Sequence, residues 1–109
     1  MHQDEIPPGT LYLLILKALT RGGELHGYEI ASWIELVSDD VLQVEEGSLY
    51  PALQRMLMKG WVTAKWGVTP GKRRARYYRL TPLGRKQLEV EVSQFERVVQ
   101  AITRAIQTA

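Results

Sequence analysis

Apolar positions along this chain change their period several times, and each change marks an element. The run Leu11-Tyr12-Leu13-Leu14-Ile15-Leu16, continued by Ala18 and Leu19, is apolar on nearly every side. Thr10 before it and Gly22-Gly23 after it predict a helix from Thr10 to about residue 20. A helix with no polar face must be covered from more than one side. In so short a chain one cover is the chain's own core, and the other is expected to be a second copy. Ile30, Ala31, Ile34 and Val37 then recur at helical spacing with Glu29, Ser32 and Glu35 opposite them, predicting a second helix from His26 to about Ser38. Asp39-Asp40 marks the turn. Pro51 is tolerated only in a first helical turn, so a third helix is expected to start at Gly47 or Ser48 and to run to Lys59. Gly60 closes it. Leu49, Leu53, Met56 and Leu57 form its core face, while Ser48, Tyr50, Gln54, Arg55 and Met58 point elsewhere.

Beyond Gly60 the period shortens. Residues 61–66 (Trp61 to Trp66) and 76–80 (Arg76 to Leu80) are rich in strand formers with partial alternation. The segment 67–75 between them exceeds the roughly 2–5 residues of a tight hairpin loop, so it is expected to project with Lys72, Arg73 and Arg74 at its tip. Thr81 and Pro82 carry the start signal of a last helix. Its apolar residues Leu88, Val92, Phe95, Val99, Ile102 and Ile106 alternate spacings of four and three, a heptad seam. At about 25 residues this helix is about 37 Å long, more than so small a core can cover. One reading lays it on its own core; the favoured reading places it between two copies. Three helices, a two-stranded wing and a long helix make a mainly α, winged helix-turn-helix chain. The expected layout is a Pro-rich, loosely held lead over 1–9, the winged domain over 10–81 and a dimerisation helix over 82–109.

The net charge of +2 conceals an asymmetry. Residues 1–60 hold four basic against nine acidic side chains, whereas residues 61–109 hold ten basic against three acidic ones. A basic half of this kind is the footprint of a polyanion partner, although a charge run also serves merely as a solvated surface. With no cysteine and two distant histidines, His2 and His26, neither thiol chemistry nor a metal site is expected, and no cofactor. No nucleophile stands beside a histidine and no glycine loop is built to cradle phosphate, so no enzyme is expected. The longest apolar run falls far short of the roughly 18–20 residues of a membrane span, and no secretory signal is visible; a cytoplasmic protein is expected.

The stretch Glu46-Gly47-Ser48-Leu49-Tyr50-Pro51-Ala52-Leu53-Gln54-Arg55-Met56 strongly resembles the recognition-helix signature of the PadR family, the phenolic acid decarboxylase regulators. Leu25-His26-Gly27-Tyr28-Glu29-Ile30, Arg76-Tyr77-Tyr78-Arg79-Leu80-Thr81 and Leu83-Gly84 match the same family in the same order. The resemblance covers roughly residues 10–90 and points to the small class with a single C-terminal helix. It implies a homodimeric repressor whose first and last helices make the dimer contact, with any small-molecule effector near that interface. Gln54 stands where a histidine is frequent in the family, a departure that bears on base preference rather than docking mode.

Candidate roles follow from position and chemistry. In a winged helix-turn-helix the third helix enters the major groove of double-stranded DNA, which puts Ser48, Tyr50, Gln54 and Arg55 near the bases. Ser48 as a simple cap and Tyr50 as a packing residue are the plainer alternatives. Lys72, Arg73 and Arg74 suit phosphate or minor-groove contacts, and Arg76 adjoins them. Arg76 and Arg79 have another use, as ion-pair partners of Glu45 or Glu46. His26, Gly27 and Tyr28 open the second helix, whose free amides can hold a phosphate; Tyr28 fits the core equally well. Leu11, Leu14, Ile15, Leu88, Val92, Phe95, Val99, Ile102 and Ile106 are the candidate dimer contacts. Trp33 and Phe95 are candidates for binding a small apolar or aromatic effector, while Trp61 and Trp66 are expected in the core. A symmetric dimer of this design reads an inverted-repeat operator. Two rival uses of the same fold are a protein-interaction module, which would not need a basic wing, and a sensor whose main activity is ligand binding.

Overall fold

A computed structural model describes residues 4–6 and 9–108 of the chain. In chain order the elements are β1 (Asp4–Glu5), α1 (Leu11–Gly22), β2 (Glu24–His26), α2 (Gly27–Val37), β3 (Leu42–Gln43), α3 (Glu46–Met58), β4 (Val62–Val68), β5 (Arg74–Leu80) and α4 (Pro82–Gln107). Most of the expected Pro-rich lead, including Pro7 and Pro8, lies outside the described residues. β1 pairs in parallel with β3 through Asp4–Leu42 and Glu5–Gln43. The four main helices and the β4–β5 hairpin fall where the hydrophobic pattern puts them.

The core lies where α1, α2, α3 and the base of the hairpin meet. Leu16, Leu19, Ile30, Ile34, Leu53 and Met56 are fully buried, and Val62, Tyr78 and Leu80 close the sheet side. Ile15 is also completely buried among them. It serves this chain's own core, so its expected place in a dimer contact is withdrawn; Leu11 and Leu14 remain only partly covered. An all-apolar helix gives no local sign of which side faces inward, and here the folded chain covers most of α1 itself.

Three boundaries differ from expectation. First, the sheet has three strands, because β2 pairs antiparallel with β5 through Glu24–Arg79, Leu25–Tyr78 and His26–Tyr77. Second, β4 and β5 stay paired as far as Val68–Arg74. The loop is therefore only Thr69 to Arg73, within the tight-hairpin range, and Arg74 belongs to the strand. It is held by Thr69 N–H donating to the Arg73 carbonyl at 2.8 Å and Lys72 N–H donating to the Thr69 carbonyl at 2.8 Å. Third, α3 starts at Glu46, which puts Pro51 in its second turn. Ser48 and Leu49 both donate to the Glu45 carbonyl, at 3.0 and 2.9 Å, so the helix is already under way. Gly47 and Pro51 lie on the exposed face, where water can satisfy the carbonyl that proline leaves without a donor.

The far end of α3 and the start of α4 are tied at one joint. Trp61 N–H donates to the Met56 carbonyl at 3.0 Å and Gly60 N–H to the Leu57 carbonyl at 3.1 Å, the paired bonds of a Schellman stop. The Thr81 hydroxyl accepts from Gly84 N–H at 3.0 Å and donates to the Gly60 carbonyl at 2.6 Å. A capping bond of this kind is worth about 1 kcal/mol. α4 then leaves the domain. Leu88 packs against the core and Val92 is half-buried, but every described residue from Ser93 onward is exposed. The molecule is accordingly 57 Å long and only 22 Å thick.

Candidate nucleic-acid interface

The face of the β4–β5 hairpin that starts in the core continues out to its tip. Val62, Ala64, Trp66 and Val68 on β4 lie opposite Leu80, Tyr78, Arg76 and Arg74 on β5. Exposure rises along this face from Val62 and Leu80, both buried, to Val68 and Arg74. One half is thus core and the other half is a cationic wall. Facing that wall are the N-terminus of α2 and the exposed side of α3. Together they enclose an open groove of about 860 Å³. Its lining includes His26, Tyr28, Tyr50, Gln54, Arg73, Arg74 and Arg76, seven of the ten residues proposed for this role from the sequence, and also Trp66 and Tyr78.

His26 caps α2. Its backbone N–H donates to Glu29 Oε1 at 3.1 Å, and Glu29 N–H donates to its Nδ1 at 3.4 Å, a reciprocal capping box. The imidazole also meets the Tyr77 ring edge-on at 5.3 Å. Tyr28 is 75% exposed, which removes the core alternative for it. Tyr50 approaches Gly27 closely: a Cβ there would stand 2.9 Å from its hydroxyl oxygen, so any larger residue would make the Tyr50 ring shift. Tyr78, beneath them, has its phenol pKa raised by burial; the Arg76 charge lowers it in part and Tyr50 raises it. The floor of the groove therefore stays a neutral hydrogen-bonding group.

The three arginines on the wall are not neutralised. Among the described residues Lys65–Glu24 pair at 3.3 Å, and Glu29 also stands 3.5 Å from His26 Nε2; neither carboxylate reaches an arginine. The alternative pairing of Arg76 or Arg79 with Glu45 or Glu46 does not form. Arg76 Nε is buried with no hydrogen-bond partner. Of the three candidates outside the groove, Ser48 and Arg55 occupy the opposite flank of α3, beside Tyr12. There Arg55 Nε donates to the Tyr12 hydroxyl at 2.6 Å, and its guanidinium lies over the Tyr12 ring. Lys72 stands at the wing tip beyond the groove wall. Trp66, expected in the core, is 58% exposed. Trp61 does pack against the core and meets Tyr12 edge-on at 5.4 Å.

This arrangement can be set beside known proteins. The model of the PadR-like family of transcriptional regulators matches residues 15–90. The chain belongs to that family. PadR-like proteins are regulators of transcription rather than enzymes. A transcriptional regulator from Clostridium thermocellum is 30% identical, superposes with a TM-score of 0.80, and matches over 88% of this chain and 92% of its own. A PadR-like regulator from Bacillus cereus is 26% identical with a TM-score of 0.74, over 93% of this chain and 95% of its own. Bacillus subtilis PadR, solved in complex with operator DNA, is 28% identical with a TM-score of 0.67 over 79% of this chain and 48% of its own. The curated Bacillus subtilis protein, a negative transcriptional regulator, is 29% identical over 70 residues, which span 38% of its length. An uncharacterized protein from Lysinibacillus sphaericus is 29% identical over 102 residues, 93% of its length. No helix among the described residues is long and apolar enough to cross a membrane.

Within this PadR-like fold the residues singled out for dimerisation and for an effector are only partly brought together. Phe95, Val99, Ile102 and Ile106 lie exposed on the projecting half of α4, with Ile106 at 77%. Val98 and Val90, outside the heptad seam, are exposed as well. A shallow groove of about 190 Å³ runs between α1 and α4, lined by Gly9, Thr10, Leu13, Glu91, Gln94, Phe95 and Val98. Trp33 is not part of it; it packs partly buried against the core. Leu13 was hidden inside an all-apolar run, and the places of Trp66 and Tyr78 in the groove by the long-range strand pairing that sets them.

Proposed function

We propose that this chain is a sequence-specific DNA-binding repressor that works as a homodimer and is released by a small-molecule effector. The observation that carries the reading is the groove in which an exposed face of α3 meets a wall of three arginines that no carboxylate neutralises. Gln54 and Tyr50 supply hydrogen-bonding groups suited to base edges in a major groove. Arg73, Arg74 and Lys72 supply charge for the phosphates alongside, or for the adjacent minor groove. The solved complex of Bacillus subtilis PadR with operator DNA supports the same use of the fold. Its description as a negative regulator supports repression.

The projecting half of α4 supports the dimer. Phe95, Val98, Val99, Ile102 and Ile106 make an apolar stripe that water should not keep. A two-fold partner would set two recognition helices about 34–36 Å apart, on an inverted-repeat operator. The α1–α4 groove is smaller than the roughly 300–1,000 Å³ of ordinary ligand pockets. A second copy would supply its missing walls, and Phe95 makes it suit an apolar or aromatic effector.

The test is a salt series of fluorescence anisotropy on the purified protein, comparing its own upstream DNA with a scrambled duplex. Tight binding that prefers the upstream fragment and weakens steeply with salt is expected; weak and equal binding to both would refute the reading. For the dimer, Ile102→Asp is expected to convert the sedimenting species from dimer to monomer with the winged domain still folded. Losing the second half-site should then weaken operator binding by roughly 100-fold or more. An unchanged dimer would show that α4 is not the contact.

A further inference from the structure

Trp66 is a large aromatic side chain left mostly in solvent, on the basic wall of the groove, in a sheet whose core is elsewhere. It lies directly across from Arg76 in the β4–β5 register, with Arg74 diagonal to it on the same face. The Arg74 guanidinium carbon is 4.6 Å from the centre of the indole ring, and that of Arg76 is 5.9 Å. Both distances are within the range of a cation–π contact, for which indole is the strongest partner. Neither guanidinium has a carboxylate, and Arg76 Nε has no hydrogen-bond partner at all. The indole face is thus the aromatic contact these two guanidiniums make on the wall, and neither charge is paired with a carboxylate.

We propose that Trp66 is a positioning residue: it orders the guanidiniums of Arg74 and Arg76 on the groove wall, so that they meet nucleic-acid phosphate already oriented. The function of the clamp rests on the DNA reading above; the clamp itself does not. An arginine side chain carries many rotamers, and fixing them during binding costs affinity. A cation–π contact in the free protein meets that cost in advance without consuming the charge, as an ion pair would. It also explains why an exposed tryptophan stands where the core face of the hairpin runs out.

Two measurements on the intact chain test this. In the free protein, ¹⁵N relaxation of the arginine Nε–H groups should show Arg74 ordered in the parent. Arg74 should become mobile in Trp66→Ala and stay largely ordered in Trp66→Phe, which keeps an aromatic face. Because Trp66 lies outside the core, the melting temperature should barely move. In DNA titrations, Arg74→Ala should weaken binding about 5–10-fold in the parent but only about 2-fold or less in Trp66→Ala, because a disordered arginine contributes less. Equal Arg74→Ala losses in both backgrounds would overturn the proposal, as would an Arg74 signal unmoved by Trp66→Ala. A parent chain that binds no duplex while Trp66→Ala still loosens Arg74 would support the clamp and sink the DNA reading instead.

Discussion

Replacing Lys72, Arg73 and Arg74 together with alanine is expected to weaken binding to every duplex alike, cognate or scrambled. All three side chains are exposed, and none is paired with a carboxylate. Their loss therefore removes charge without unfolding the domain. If each neutralises one phosphate, the plot of log affinity against log salt flattens by about 2.7 per subunit. At physiological salt that corresponds to roughly 100-fold weaker binding per subunit. Gln54→Ala makes the informative contrast. Gln54 sits on the exposed face of α3 and lines the same groove, but carries no charge. Its removal should leave the salt slope alone and erase preference among related sequences, at about 1–3 kcal/mol for a bidentate base contact. The measurement is anisotropy across salt concentrations on a small panel of operator variants. If both substitutions shifted slope and preference together, the division of labour between wing and helix would be wrong.

The second large effect concerns stability. Gly84→Ala is expected to destabilise the fold by about 3 kcal/mol or more, out of a total of roughly 5–15 kcal/mol for such a domain. Gly84 is the one described residue of α4 that is fully buried. A Cβ there would overlap the Trp61 carbonyl oxygen and press against Leu80 Cδ2 at 3.1 Å. The clash is with backbone, so no rotamer change relieves it, and α4 would have to lift off the end of β4. The Thr81 cap, which donates to the Gly60 carbonyl and accepts from Gly84 N–H, would be strained with it. In thermal melts this should lower Tm by about 10 °C or more. Gly47→Ala gives the opposite sign: a Cβ on Gly47 meets nothing within 4 Å, and the residue is helical. It should gain about 0.5–1 kcal/mol from propensity alone. Matching melts for the two variants would show that glycine is retained at 84 for space only if Gly84→Ala falls while Gly47→Ala does not.

What the residues determined by themselves is whatever neighbours in the chain decide. Helices start and stop on local hydrogen-bond and dihedral preferences, and so Thr81-Pro82, the Gly60 stop and the periodic face Leu49, Leu53, Met56 could be read directly. The concentration of basic residues at the wing and the exposed set Tyr50 and Gln54 on α3 were equally legible, because helical spacing already divides that segment into inner and outer faces. Tertiary structure alone decided the rest. The three residues Glu24–His26 are too few to show alternation, and they become a strand only because β5 offers an unpaired edge. Pairing from Val62–Leu80 out to Val68–Arg74 shortened the wing loop. It also carried Trp66 past the end of the core, a result that indole hydrophobicity argues against. Ile15 and Leu14 are indistinguishable in an all-apolar helix; the folded chain buries the first completely and the second only in part. Ser48 and Arg55 share α3 with Tyr50 and Gln54, yet α1 claims their flank through the Tyr12 hydroxyl. Periodicity records how a segment divides its own faces, whereas which face meets what depends on contacts between residues far apart in the chain, and those exist only once it has folded.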